Sequence, residues 1–156
     1  MPPVVLETVH ALNNFVGVEI AATEWLTISQ DRIDRFAEAT EDRQWIHVDR
    51  ERAKKESPFG TTIAHGFLTL SLLSHFLQQA FQIKSGVRMG VNYGLNRVRF
   101  PAPVPADSQI RACVSVLSLK EIPKAVEATY SITVESRGTE KPCCVAEWLV
   151  RYYLSE

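Results

Sequence analysis

Hydrophobic residues recur at helical spacing in the first half of the chain and alternate with polar ones in the second. From Ser29 to Thr40, Ile33, Phe36, Ala37 and Thr40 share one side, with Asp31, Arg32, Asp34, Arg35 and Glu38 opposite. That is an amphipathic helix packed by one face. Thr27 or Ser29 can cap it, Thr27-x-x-Gln30 fits a capping box, and its end is expected near Thr40-Glu41-Asp42. Asp42 to Asp49 has no clear period. Asp49 can cap a short charged helix from Arg50 to Glu56, before Ser57-Pro58-Phe59-Gly60 breaks the chain. Gly66 to about Phe81 leaves almost no polar face, through Phe67, Leu68, Leu70, Leu72, Leu73, Phe76, Leu77, Ala80 and Phe81. A soluble helix apolar nearly all round belongs at the centre of a core.

The second half predicts what wraps that helix. Val87, Met89, Val91 and Tyr93 alternate, and Leu95 to Phe100 continues extended until Pro101. Ile110, Ala112, Val114 and Val116 alternate, then Leu117 and Leu119 take the opposite phase, which predicts a bulge or sharp bend. Val126 to Val134 and Cys144 to Tyr152 alternate cleanly, separated by a turn that includes Gly138. A weaker pattern near residues 12–22 offers one more strand. Long strands joined by turns imply an antiparallel sheet with one buried face. With one apolar helix against it, the fold class is α+β. Such a sheet leaves edges to cover, and a homodimer or a higher homo-oligomer is expected to cover them.

Composition narrows the class. The 156 residues are 46% hydrophobic and 22% charged with a net charge of -1, which fits one soluble domain over residues 1–156. That balance gives nucleic acid no electrostatic foothold. The three cysteines, Cys113, Cys143 and Cys144, are odd in number and two are adjacent, which argues against a disulfide framework and for a reducing cytoplasm. The start lacks a basic segment and a long apolar run, and the run from Phe67 to Phe81 is shorter than the roughly 20 residues that span a bilayer. No membrane association is expected.

Chemistry concentrates between Asp42 and Gly66. Asp42 and His47 stand five positions apart in an irregular segment after a helix, so a carboxylate and an imidazole can converge on one water. Ala64-His65-Gly66 then opens the apolar helix. The first N–H groups of a helix have no partner within it and can stabilise an oxygen that gains charge. Taken alone, each feature also has a plain reading: a helix-end Asp, a solvated His, a Gly chosen for packing.

The combination resembles a known family. Phe36-Ala37-x-x-Thr40-x-Asp42-x-x-x-x-His47-x-Asp49, then Ile63-Ala64-His65-Gly66-Phe67-Leu68, then Leu95-Asn96-Arg97-Val98-Arg99-Phe100-Pro101-Ala102-Pro103-Val104, is similar to the MaoC-like dehydratases, which include the (R)-specific enoyl-CoA hydratases. Gln44-Trp45-Ile46-His47 is similar to the nodulation-protein-N-like branch. The resemblance implies a hot-dog fold, a long central helix wrapped by a curved antiparallel sheet, usually dimeric. It implies reversible addition of water to a trans-2-enoyl thioester of coenzyme A or acyl carrier protein, with no cofactor beyond coenzyme A as part of the substrate. Asp42 and His47 match the catalytic pair, Gly66 the backbone donor to the thioester carbonyl, and Ser74 a hydroxyl that supports the Asp. Where the better-known hydratases carry Gly-Asp-x-Asn-Pro-x-His, this chain reads Glu41-Asp42-Arg43-Gln44-Trp45-Ile46-His47, so Gln44 and Trp45 are expected to shape the loop and the acyl site.

Two alternatives remain open from sequence: a hot-dog thioesterase, and a module that binds acyl thioesters without turnover. His65 with His47 and Asp49 matches no zinc spacing, and no bound metal is expected.

Overall fold

The computed structural model describes residues 1–156. The chain opens with strand β1 (Val4–Leu6), a 3₁₀ helix (Val9–Phe15) and strands β2 (Glu19–Ala22) and β3 (Leu26–Ile28). Helices α1 (Gln30–Thr40), α2 (Trp45–Val48) and α3 (Arg50–Glu56) follow. The apolar segment forms α4 (Gly66–Ser71) and α5 (Leu73–Ala80) and runs into β4 (Phe81–Ile83). Four long strands complete the chain: β5 (Val87–Arg99), β6 (Ser108–Ile122), β7 (Ala125–Ser136) and β8 (Cys144–Leu154).

The main sheet is antiparallel, in the order β2-β6-β7-β8-β5, with β3 also paired to β6. Its inner face carries the residues that alternate in the sequence. Val114, Val116, Val126, Tyr130, Ile132 and Val134 are almost wholly buried, and Phe76 and Ala80 of α5 join them in one core. The phase change in β6 is a bulge: Val116 pairs with Tyr130, and Ser118 with Thr129. Leu119 thereby returns to the core side, while Leu117 stays exposed. This is the α+β hot-dog arrangement.

Three details depart from the sequence pattern. The central helix is interrupted at Leu72, whose N–H is shared between the carbonyls of Leu68 and Thr69. Its end is seamed by a parallel ribbon, β1 on β4, that short strands could not announce. Nor does one chain wrap the helix on all sides: Phe67, Ser71, His75 and Gln78 form an exposed stripe, and Phe67 is 68% exposed. Beside it, edge strand β5 leaves Met89, Val91, Tyr93 and Leu95 open.

Candidate active site

The segment between α1 and α3 is set by main-chain geometry at both ends. Ser29 caps α1, its hydroxyl accepting from the Arg32 N–H at 3.2 Å. Thr27 lies in β3 instead. The helix ends at Glu41, which takes a left-handed conformation (φ 62°) and turns the chain outward into Asp42. Asp49 caps α3 by accepting from the Arg52 N–H at 2.9 Å. Between these stops lies α2, a single turn that points His47 inward.

Two devices hold that turn. The Ile63 N–H donates to the Ile46 carbonyl at 3.0 Å, and the Ile63 carbonyl accepts from Nδ1 of His47 at 2.7 Å. A carbonyl only accepts, so the ring proton sits on Nδ1 and Nε2 keeps its lone pair. Buried Gln30 is the second device. Its Nε2 donates to the His47 carbonyl at 2.7 Å and to Asp34 at 2.8 Å, and its Oε1 accepts from the Thr62 hydroxyl.

Asp42, His47 and His65 meet at the mouth of the central helix. One carboxylate oxygen and one ring nitrogen from each histidine lie within 4.8 Å of one another. The His47 and His65 rings stack, centroids 3.7 Å apart and 21° from parallel. Nε2 of His65 donates to the main-chain carbonyl of Asp42 at 2.9 Å and lies 3.9 Å from its carboxylate. The Asp42 side chain is 54% exposed, whereas both histidines are buried. A separation of this order suits a water bridging two groups, each at hydrogen-bond distance.

Burial pushes the His47 pKa down, the Ile63 carbonyl raises it, His65 lowers it and Asp42 raises it, for a net fall below the ordinary histidine value. His47 is therefore neutral near pH 7, with an unprotonated Nε2 ready to take a proton.

These groups line a cavity of about 440 Å³ with Phe36, Thr40, Gly66, Phe67 and Phe100. Gly66 is the first residue of α4, where a main-chain N–H has no partner within the helix. A side chain there would strike Phe100, since an added Cβ would lie 3.0 Å from its ring. Gly66 and Phe100 also line a neighbouring cavity of about 380 Å³ with Pro101, Pro103 and Val104, an apolar extension of the same mouth.

The structure thus brings Asp42, His47 and Gly66 together. Ser74 lies elsewhere, in the wall of a cavity of about 370 Å³ shared with Asn92, Tyr93 and Trp148. It lies eight residues beyond Gly66 and is not in the wall of the cavity that holds Asp42. Gln44 is exposed and contributes its N–H to Asp42 at 3.4 Å, and Trp45 lies under the Arg52 guanidinium rather than in the cavity wall. Gln30, Thr62, Ile63 and Phe100 had no role in the sequence reading of the site. The signal for Gln30 was present: it falls on the same helical face as Ile33 and Ala37, where a polar residue needs a buried partner.

A helix wrapped by a curved antiparallel sheet is the hot-dog fold, and here an acid and two imidazoles meet at the mouth of that helix. The chain belongs to the MaoC-like family: residues 12–136 match the MaoC like domain. It is 50% identical over 147 residues to 3-hydroxyacyl-thioester dehydratase Z of Mycobacterium tuberculosis (strain H37Rv), covering 94% of this chain and 96% of that one. It is 47% identical over 136 residues to nodulation protein N of Rhizobium leguminosarum bv. viciae, covering 86% and 84%. Among solved structures, the (R)-hydratase from A. caviae involved in PHA biosynthesis aligns with a TM-score of 0.69 at 25% identity, covering 86% of this chain and 94% of that one.

Proposed function

We propose that the protein adds water reversibly to a trans-2-enoyl thioester, giving an (R)-3-hydroxyacyl thioester of coenzyme A or acyl carrier protein. The observation that carries this reading is the approach of Asp42 to the neutral His47 within 4.8 Å beside the start of the central helix. The name of the mycobacterial relative, at 50% identity, supports the same reaction.

The chemistry follows from the groups present. Water is a poor nucleophile and must lose a proton as it attacks C3. Held between Asp42 and His47, it delivers hydroxide to C3, and the proton taken up by the pair returns to C2 from the same side, giving syn addition. Charge develops on the thioester oxygen, and the Gly66 N–H is placed to receive it. Desolvated, a donor of this kind contributes about 10²–10³ in rate. The apolar walls around Phe100 and Val104 take the acyl part. Ser74 lines the second cavity on the central helix, where the chain of a longer substrate or the partner subunit would lie. No cofactor beyond the thioester is needed.

The functional unit is a homodimer of this one domain. The exposed stripe of the central helix and the open apolar edge of β5 meet along the cavity lined by Ser71, Tyr93 and Leu95, and a second copy would cover both. No helix is long and apolar enough to cross a membrane, and three unpaired cysteines fit the reducing cytoplasm.

Crotonyl-CoA tests the reaction directly. Hydration removes the conjugated enoyl absorbance without releasing thiol, and that is the expected result. Thiol release with the enoyl group intact would mark a thioesterase. Tight binding without either change would mark a non-catalytic module.

A further inference from the structure

Asp42 occupies an exposed loop, yet its proposed task requires a fixed distance to His47. Its immediate supports are weak. The Gln44 N–H reaches the carboxylate at only 3.4 Å. Arg43 binds Glu38 and Glu41 on the surface, and exposed ion pairs of this kind restrain little. The Glu41 turn sets direction but not depth. The one buried group that grips the loop is His65, 3% exposed, whose Nε2 donates to the Asp42 carbonyl.

His65 is itself immobile. Its ring lies between Phe36, 4.9 Å away by centroid, and His47, at 3.7 Å. Nδ1 is buried and has no partner, so the contact with Asp42 is the ring's one polar attachment. His65 also directly precedes Gly66. One dipeptide therefore fixes the acid and supplies the N–H for the thioester oxygen, so both elements move as a unit.

We infer that His65 is a positioning residue for the hydration reaction: it clamps the main chain of Asp42 and stacks on His47, and so sets the gap that holds the water. This rests on the hydratase reading of the same site, and it gives His65 a role other than metal binding.

Three measurements test it. In the wild-type protein, nitrogen-15 spectra of the histidine rings should show His65 protonated on Nε2 and bare on Nδ1, a result that does not depend on turnover. An Nδ1-protonated His65 would overturn the clamp whatever the enzyme does. His65→Leu should lower kcat on crotonyl-CoA by about 10²-fold, the scale for a displacement near 1 Å. KM should stay within about twofold, because acyl binding is not altered. His65→Gln, whose amide nitrogen matches the position of Nε2, should restore kcat to within about fivefold of wild type. Equal losses in the Leu and Gln variants, or a loss confined to KM, would contradict the inference. Failure of the wild type to hydrate any enoyl thioester would instead strike the functional reading, leaving the ring spectra to judge the clamp.

Discussion

The Ile63 carbonyl accepts from Nδ1 of His47 at 2.7 Å, and the Ile63 N–H donates to the Ile46 carbonyl from the same residue. One main-chain unit therefore fixes both the tautomer and the position of the imidazole. The extended segment before the central helix acts as a template for the one-turn helix that carries the base.

The pH dependence follows. Because burial holds the His47 pKa below its ordinary value, the neutral base should persist as pH falls past about 6.5. We expect the acid limb of kcat/KM for enoyl hydration to lie below that ordinary value. The same shift affects stability. A depressed folded-state pKa means the unfolded chain takes up the proton first, so stability is full above the ordinary value and declines as pH falls toward the folded one. A limb above pH 7 assigned to His47 would contradict this.

Gln30→Leu should destabilise the fold. It leaves the buried Thr62 hydroxyl and the His47 carbonyl without a partner, at about 1–3 kcal/mol each. Thermal unfolding should shift down by several degrees, and kcat should fall with it because α2 loses a tie. An unchanged midpoint would show that water replaces the amide.

Much of this architecture was legible and some was not, for definable reasons. Alternation over the ten or more residues of β6, β7 and β8 is a strong signal, and the misplaced phase of Leu119 marked the bulge. The caps at Ser29 and Asp49 were readable from side-chain chemistry. The single turn of α2 carries too few residues to show a period, and β1 and β4 are three residues each. Asp42, His47 and Gly66 stand out in the sequence because spacing and motif agree, and the fold brings all three to one cavity. Ser74 and Asp42 line different cavities of the chain. His65 was legible as a residue but not as a clamp, since its partner is a carbonyl and leaves no mark in the sequence.

Gly66→Ala should cost about 1–3 kcal/mol of stability, the range for overpacking. The new Cβ would meet the Phe100 ring at 3.0 Å, and the ring would have to give by a few tenths of an ångström. Gly66→Ala combined with Phe100→Leu should recover stability. Equal instability of the single and double variants in denaturant melts would place the cause elsewhere.

The apolar edge should mediate assembly. Val91 and Tyr93 on β5 and Phe67 on the central helix are exposed, and a charge among them should be tolerated by the chain but not by an interface. Light scattering of the wild type should give twice the chain mass, and Val91→Lys with Phe67→Glu should give the monomer with retained secondary structure. A monomeric wild type would refute the dimer.

The most direct test of the account is the rate of crotonyl-CoA hydration by the wild type, Asp42→Asn and His47→Ala, measured side by side on folded protein. Each substitution should lower kcat by about 10²–10⁴, the contribution of a positioned acid or base. If either variant hydrates the substrate at the wild-type rate, the water is not activated between those two residues.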